Sequence, residues 1–202
     1  MSLIKLNDRA VKDITQFGSI SSLGSLTHIS TATASASASI EFTSGIDTTY
    51  KEYVFYYVNL HPSNDSVVLQ FNLSTDSGSN YNVTKTSTAF RAYHNEADSS
   101  SGLQYMTAND LAQSTNFQPL NDANQSNDND HSQSGFLHLF NPSDTTFVKH
   151  FIARNANIHA GNFALDGFIA GYGNTTSAVD AIQFKYSSGN IDSGQILLFG
   201  VN

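Results

Sequence analysis

The sequence predicts an all-β protein, a β-sandwich or jelly roll preceded by a short helical or extended N-terminal arm. Three observations lead there. Aromatic residues are abundant, with 14 Phe and 9 Tyr in 202 residues, and such rings favour strands. Charged residues make up only 13%, so the Lys and Glu that build surface helices are scarce. Apolar and polar residues alternate in short runs separated by Gly, Asn, Asp and Ser, the pattern of strands and turns. A chain of this length buries a sizeable core, and it divides by pattern into an arm over residues 1–25 and a sandwich over 26–202.

The arm is read from Ala10, Val11, Ile14 and Phe17, which recur at helical spacing between the capping candidates Asn7 and Asp8 and a C-terminal Gly18. A helix this short needs a surface to pack on. That surface belongs either to its own domain or to a neighbouring subunit, and the four apolar residues are the candidate anchoring positions. From Ala32 to Phe42 strict alternation predicts one strand with an alanine-rich face. Glu52 to Leu60 is apolar on both faces, the mark of a strand covered from two sides. His61 to Asp65 has turn chemistry. Alternation resumes over Val67 to Leu73, and Tyr81 to Tyr93 gives a further strand.

Residues 95–134 are the least regular. Asn121 to Ser134 is almost free of apolar side chains, which predicts a variable, exposed loop. Strands return at Phe136–Phe140, Thr146–Arg154, Ala164–Gly171 and Val179–Tyr186. A glycine-marked turn then leads into the apolar stretch up to Val201, which is expected to be built into a sheet. No repeat of fixed period is seen.

Composition narrows the function. The formal charge is −8, from 9 basic and 17 acidic residues, and the basic residues are scattered, which argues against a nucleic-acid partner. Cysteine is absent, in keeping with assembly in a reducing cytoplasm. No apolar run is long enough for a membrane span. The opening residues lack the apolar stretch of a secretory signal, so the expected route out of a cell is lysis or a particle.

Catalytic and metal motifs fail on inspection. His138, His150 and His159 lack zinc-site spacing. Asp122, Asn124 and Ser126 match the first oxygen ligands of an EF-hand loop. Asn127 and Gln133 then stand where that loop needs glycine and a bidentate glutamate. The glutamates Glu41, Glu52 and Glu96 present no evident glycosidase pair, and nucleophile-elbow and phosphate-loop motifs are missing. The expectation is a protein that is not an enzyme and uses no cofactor or metal. Tyr81, Tyr93, Tyr105 and Tyr172 lie near loops or strand ends, where they serve either sugar stacking or packing.

The closing segment, Tyr186-Ser187-Ser188-Gly189-Asn190-Ile191-Asp192-Ser193-Gly194-Gln195-Ile196-Leu197-Leu198-Phe199-Gly200, resembles the C-termini of structural proteins of tailed bacteriophages, most closely those of marine and cyanobacterial phages. Their pattern joins a Ser-Gly-Asn-Ile turn to a Ser-Gly-x-Ile-x-Leu-Tyr-Gly strand, and Phe199 stands here where Tyr is common. The opening Leu6-Asn7-Asp8-Arg9-Ala10-Val11-Lys12-Asp13 also looks like the start of such proteins. Gly189 and Gly194 are expected to serve tight turns. The resemblance implies a β-rich virion component, often a homo-trimer, in contact with other virion proteins. The leading expectation is a tail fibre or tail-tip protein touching a host surface glycan. The alternatives are a capsid decoration or head-fibre protein, and a carbohydrate-binding or carbohydrate-active module.

Overall fold

A computed structural model describes residues 25–121 and 124–202. The arm, with Ala10, Val11, Ile14 and Phe17, lies outside the described residues. Twelve strands and no helix are present among the described residues: β1 (Leu26–Thr33), β2 (Ile40–Phe42), β3 (Glu52–Pro62), β4 (Leu69–Ser74), β5 (Lys85–Asn95), β6 (Ser101–Tyr105), β7 (Gln118–Pro119), β8 (Gln133–Phe140), β9 (Lys149–His159), β10 (Phe163–Gly173), β11 (Ala181–Tyr186) and β12 (Ile191–Val201). They form an eight-stranded sheet, ordered β1-β12-β3-β8-β9-β10-β5-β6, and a four-stranded sheet, ordered β2-β11-β4-β7. Every pairing between these strands is antiparallel.

The sheets pack face to face as a sandwich. Alternate residues of β3 (Tyr53, Phe55, Tyr57), β8 (Leu137, Leu139), β9 (Phe151, Ala153) and β12 (Ile196, Leu198) point inward and are buried. They meet Phe42, Phe71 and Phe184 of the smaller sheet. The rings of Phe71 and Phe151 lie edge to face at 5.1 Å, and those of Phe55 and Phe184 are tilted at 5.6 Å, within the range of favourable aromatic pairs.

The expected Ala32–Phe42 strand is two strands. The chain leaves β1 at Thr33, Ala36 takes a positive φ of 51°, and the backbone crosses to the other sheet as β2. The chain stays bonded to its neighbour through the crossing, since Ala34, Ala36 and Ser37 donate their amides to Gly194, Asp192 and Ile191 of β12. The alternation breaks there, with Ala36 and Ala38 exposed and Ser37 and Ser39 half-buried. The other boundaries shift by a few residues. Tyr81 precedes β5, and β9 starts at Lys149 and continues to His159.

The expected exposed loop over Asn121–Ser134 needs a larger correction. Asp128, Asn129 and Asp130 are exposed, but Asn121, Gln125, Ser126 and Gln133 are buried. The reason is the unequal width of the sheets. Four strands cannot cover the inner face of eight, and the connection between β6 and β8 fills the remainder. Met106 and Leu120 join the core from this connection, and its side-chain amides satisfy the backbone around them. Asn121 Oδ1 accepts from the Leu69 amide at 2.7 Å, and its Nδ2 donates to Gln125 Oε1 at 3.1 Å. Gln125 Nε2 donates onward to the Leu60 carbonyl at 3.2 Å. Asn109 donates to the Asn121 carbonyl, and Gln118 to the Asn109 carbonyl at 2.8 Å.

The closing segment is built in as expected, since β12 lies between β1 and β3. Gly189, at φ 71°, turns the chain from β11 to β12. Gly194 makes no turn. It sits within β12, at φ 102°, where the register against β3 shifts. A Cβ there would lie 2.4 Å from the Asn59 carbonyl oxygen, so the bulge exists because the residue is glycine.

Three outcomes are expected in chemical denaturation. Gly194→Ala costs about 2–4 kcal/mol from clash and positive φ. Gly167→Ala, whose Cβ would find its nearest neighbour at 3.8 Å, is neutral or stabilising by up to about 1 kcal/mol. Asn121→Ala leaves the buried Leu69 amide without its acceptor and costs about 1–3 kcal/mol.

Candidate functional surface

An antiparallel sheet with one face in water ordinarily carries polar residues on that face. The outer face of the eight-stranded sheet departs from this. One row of paired residues runs across all eight strands: Thr31, Leu197, Tyr56, Phe136, Arg154, Phe168, Phe90 and Tyr105. The adjacent row holds His28, Phe199, Val54, His138, Ile152, Ala170 and Thr88.

The side chains of these rows lock one another in place. Phe90 and Phe168 stack nearly parallel at 4.8 Å, and the Arg154 guanidinium lies 4.8 Å over the Phe168 ring. Arg154 also makes a bidentate pair with Asp166, at 3.0 and 2.8 Å. Tyr56 contacts Phe136 and Phe199 edge-on, and Phe199 contacts His28 at 5.3 Å. His138 packs against Phe136 and Phe140, and its Nδ1 bonds Glu52. Where the small side chain of Ala170 removes bulk, His150, Ile152, Tyr172, Thr86 and Thr88 surround a shallow apolar hollow of about 530 Å³.

The histidines singled out in the sequence are thus dispersed. His138 and His150 lie on the outer face, while His159 sits in a separate hollow with Arg91, Tyr93 and Phe163. Burial and the nearby Arg91 hold the His159 imidazole below its usual range. No group of three or more metal-ligating side chains is present among the described residues, and no helix among them is long and apolar enough to cross a membrane. The loop tyrosines also separate. Tyr81 donates to Glu41 at 3.2 Å and Tyr105 to Asp110 at 2.7 Å, whereas Tyr172 borders the apolar hollow.

A second concavity is polar. The tip of the β7–β8 connection (exposed Asn129 and Asp130, half-buried His131 and Ser132) meets Asn59 and His61 at the end of β3 and Asp192 and Ser193 of β12, around about 450 Å³. His61 lies 3.7 Å from Asp192, and His131 lies 3.8 Å from Asp128 and 3.9 Å from Asp130. Carboxylates, amides and imidazoles converge there, a set suited to hydrogen-bonding a polyhydroxylated ligand.

Two buried lysines flank Gly173, Lys85 on β5 and Lys149 on β9. Lys149 donates to the Asp144 and Phe147 carbonyls and so ties down the loop before β9. Lys85 donates to Asn72 Oδ1 and to the Val83 carbonyl. Two acceptors match the two N–H bonds of a neutral amine. Burial pulls the Lys85 pKa from its usual 10.5 down to about 7.

Sequence patterns pointed to the tyrosines and histidines but not to Phe90, Phe136, Ile152 and Phe168 as a surface. The available signal was apolar character on both faces of β3, which points to a covering layer on each side. No protein-family model, curated protein or solved structure matches this chain.

The Lys85 pKa gives a signed pH effect. Between about pH 7 and 10 the unfolded chain holds a proton on this residue that the folded chain has released. Stability therefore rises with pH there, by at most about 1.4 kcal/mol per pH unit. Above that window the buried hydroxyls of Tyr57 and Tyr186, whose pKa values burial raises, reverse the trend, because only the unfolded chain ionises them. Urea midpoints measured from pH 6.5 to 10.5 should trace this rise and fall, and Lys85→Met should flatten the rise.

Proposed function

We propose that this chain is a non-enzymatic structural protein of a tailed-bacteriophage virion, a tail-fibre or tail-tip component that contacts the host surface. The observation that carries the reading is the resemblance of the segment from Tyr186 to Gly200. The fold supports it by giving that segment a structural role. Its first glycine turns the chain, its second makes a bulge, and its Tyr186, Ile191, Ile196 and Leu198 fill the core. In this reading the protein assembles in the host cytoplasm as a homo-trimer and joins other virion proteins in the particle. Residues 1–25, with Ala10, Val11, Ile14 and Phe17, anchor it there.

The polar recess between His61, Asp130, His131 and Asp192 supports contact with a host glycan. The same recess favours the second reading, a carbohydrate-binding module. A capsid decoration or head-fibre role uses the same fold and differs in location on the particle.

Labelling intact particles with gold-conjugated antibody tests the proposal. Label at the tail is expected, label on the capsid selects the decoration role, and absence from particles overturns the virion reading. Deleting residues 1–25 should abolish incorporation while leaving the sandwich's thermal transition in place.

A further inference from the structure

We infer that the outer face of the eight-stranded sheet is the surface through which copies of this chain pack against one another. The inference deepens the homo-oligomeric part of the proposed function. It rests on that reading only for the presence of a second copy, because the face exists wherever the protein works.

Several large apolar side chains on this face are open to water. Phe90, Tyr105 and Ile152 are 44%, 51% and 50% exposed, and Leu103, which lies one row further along, is 80% exposed. Monomeric proteins seldom leave contiguous apolar surface of this kind uncovered. The strand pattern agrees. Strand β3 is apolar on both faces, and on the outside Val54 is buried among its neighbours, Tyr56 is half-buried and Val58 is 38% exposed.

Charge narrows the kind of partner that fits. The ionic groups on this face already have partners, Arg154 in an ion pair with Asp166 and Glu52 in a hydrogen bond with the His138 ring. A partner recognised by charge would find little to pair with. A second copy of a chain carrying −8 meets strong repulsion over its acidic surfaces and little here. Relief points the same way. Leu103 and Phe90 project beside β6, and the hollow over Ala170 and Gly171 lies on the same face. One surface therefore carries both knob and socket, so the projecting side chains of one copy can seat in the hollow of the next.

Area sets the strength expected. Eight strands about 4.8 Å apart span roughly 34 Å, and the two rows together with the one that holds Leu103 span roughly 14 Å along the strands. The resulting face, on the order of 500 Å² per copy in projection, falls below the roughly 800 Å² per partner of a standard interface and suits a weaker contact between copies.

The test is the solution mass of the full chain by sedimentation, compared with three variants. A mass above the single-chain 21.9 kDa is expected for the native protein. Ile152→Lys should weaken association at least about tenfold, with an unchanged melting transition because the site is half exposed. Phe90→Ser is the second variant should Ile152→Lys melt early, and it should weaken association in the same way. Phe147→Lys changes a side chain that is 69% exposed but outside both rows, and it should leave the mass unaltered. A monomeric native protein overturns the inference and leaves the face to a different partner. An oligomer that survives both face variants overturns it too, as does one that Phe147→Lys dissociates equally. Particle labelling is read independently, so the virion reading and this inference fail separately.

Discussion

The mismatch between the two sheets governs most of this structure. A four-stranded layer leaves a large part of an eight-stranded inner face open, and that part must be closed by chain that is not strand. Irregular backbone placed against a core brings amide and carbonyl groups that must be satisfied. The protein meets this demand with side-chain amides. Asn109, Asn121, Gln118 and Gln125 behave as surrogate strand partners, bonding carbonyls and amides that no ladder reaches. The same constraint explains the buried lysines, whose long stems cross apolar space and whose amines bond loop carbonyls at one end of the sandwich.

The outer face of the large sheet poses the opposite problem. Its aromatic rings are ordered by each other, by Arg154 and by cross-strand pairing, so the surface is rigid before anything touches it. Little side-chain entropy remains to be lost on contact. With its charges paired internally, the face discriminates by shape and dryness, whereas the recess at the sheet end discriminates by hydrogen bonds. The two surfaces lie on different parts of the molecule and suit different partners.

How much of this was legible in the sequence depended on whether the signal was local. Fold class was legible, because strand alternation and turn residues act over a few positions. The strands at Glu52, Phe136 and Ala164 were found within a few residues. The crossing at Ala34–Ser39 was hidden, since the sequence alternates straight through it although the burial does not, Ala36 and Ala38 being exposed. Asn121 to Ser134 was misjudged for a different reason. A run of Asn, Gln, Asp and Ser reads as solvated unless one knows that bonding partners await it, and two of those partners, Leu60 and Leu69, lie far away in sequence. Gly194 showed that glycine was needed but not why, because the Asn59 carbonyl that excludes a side chain belongs to another strand.

The position of β12 between β1 and β3 has a kinetic consequence. Thr27 and Asn202, 175 positions apart, share a hydrogen bond, and among the described residues β1 has no other strand to pair with. Its ordering therefore waits until a segment some 175 positions later is available, and the edge of β3 stays unpaired for just as long. Contacts this distant carry a heavy loop-closure cost and slow folding. The nascent protein thus carries an uncovered apolar strand edge until β12 has been made. That interval, more than any weakness of the finished sandwich, is when the chain is most exposed to misassociation.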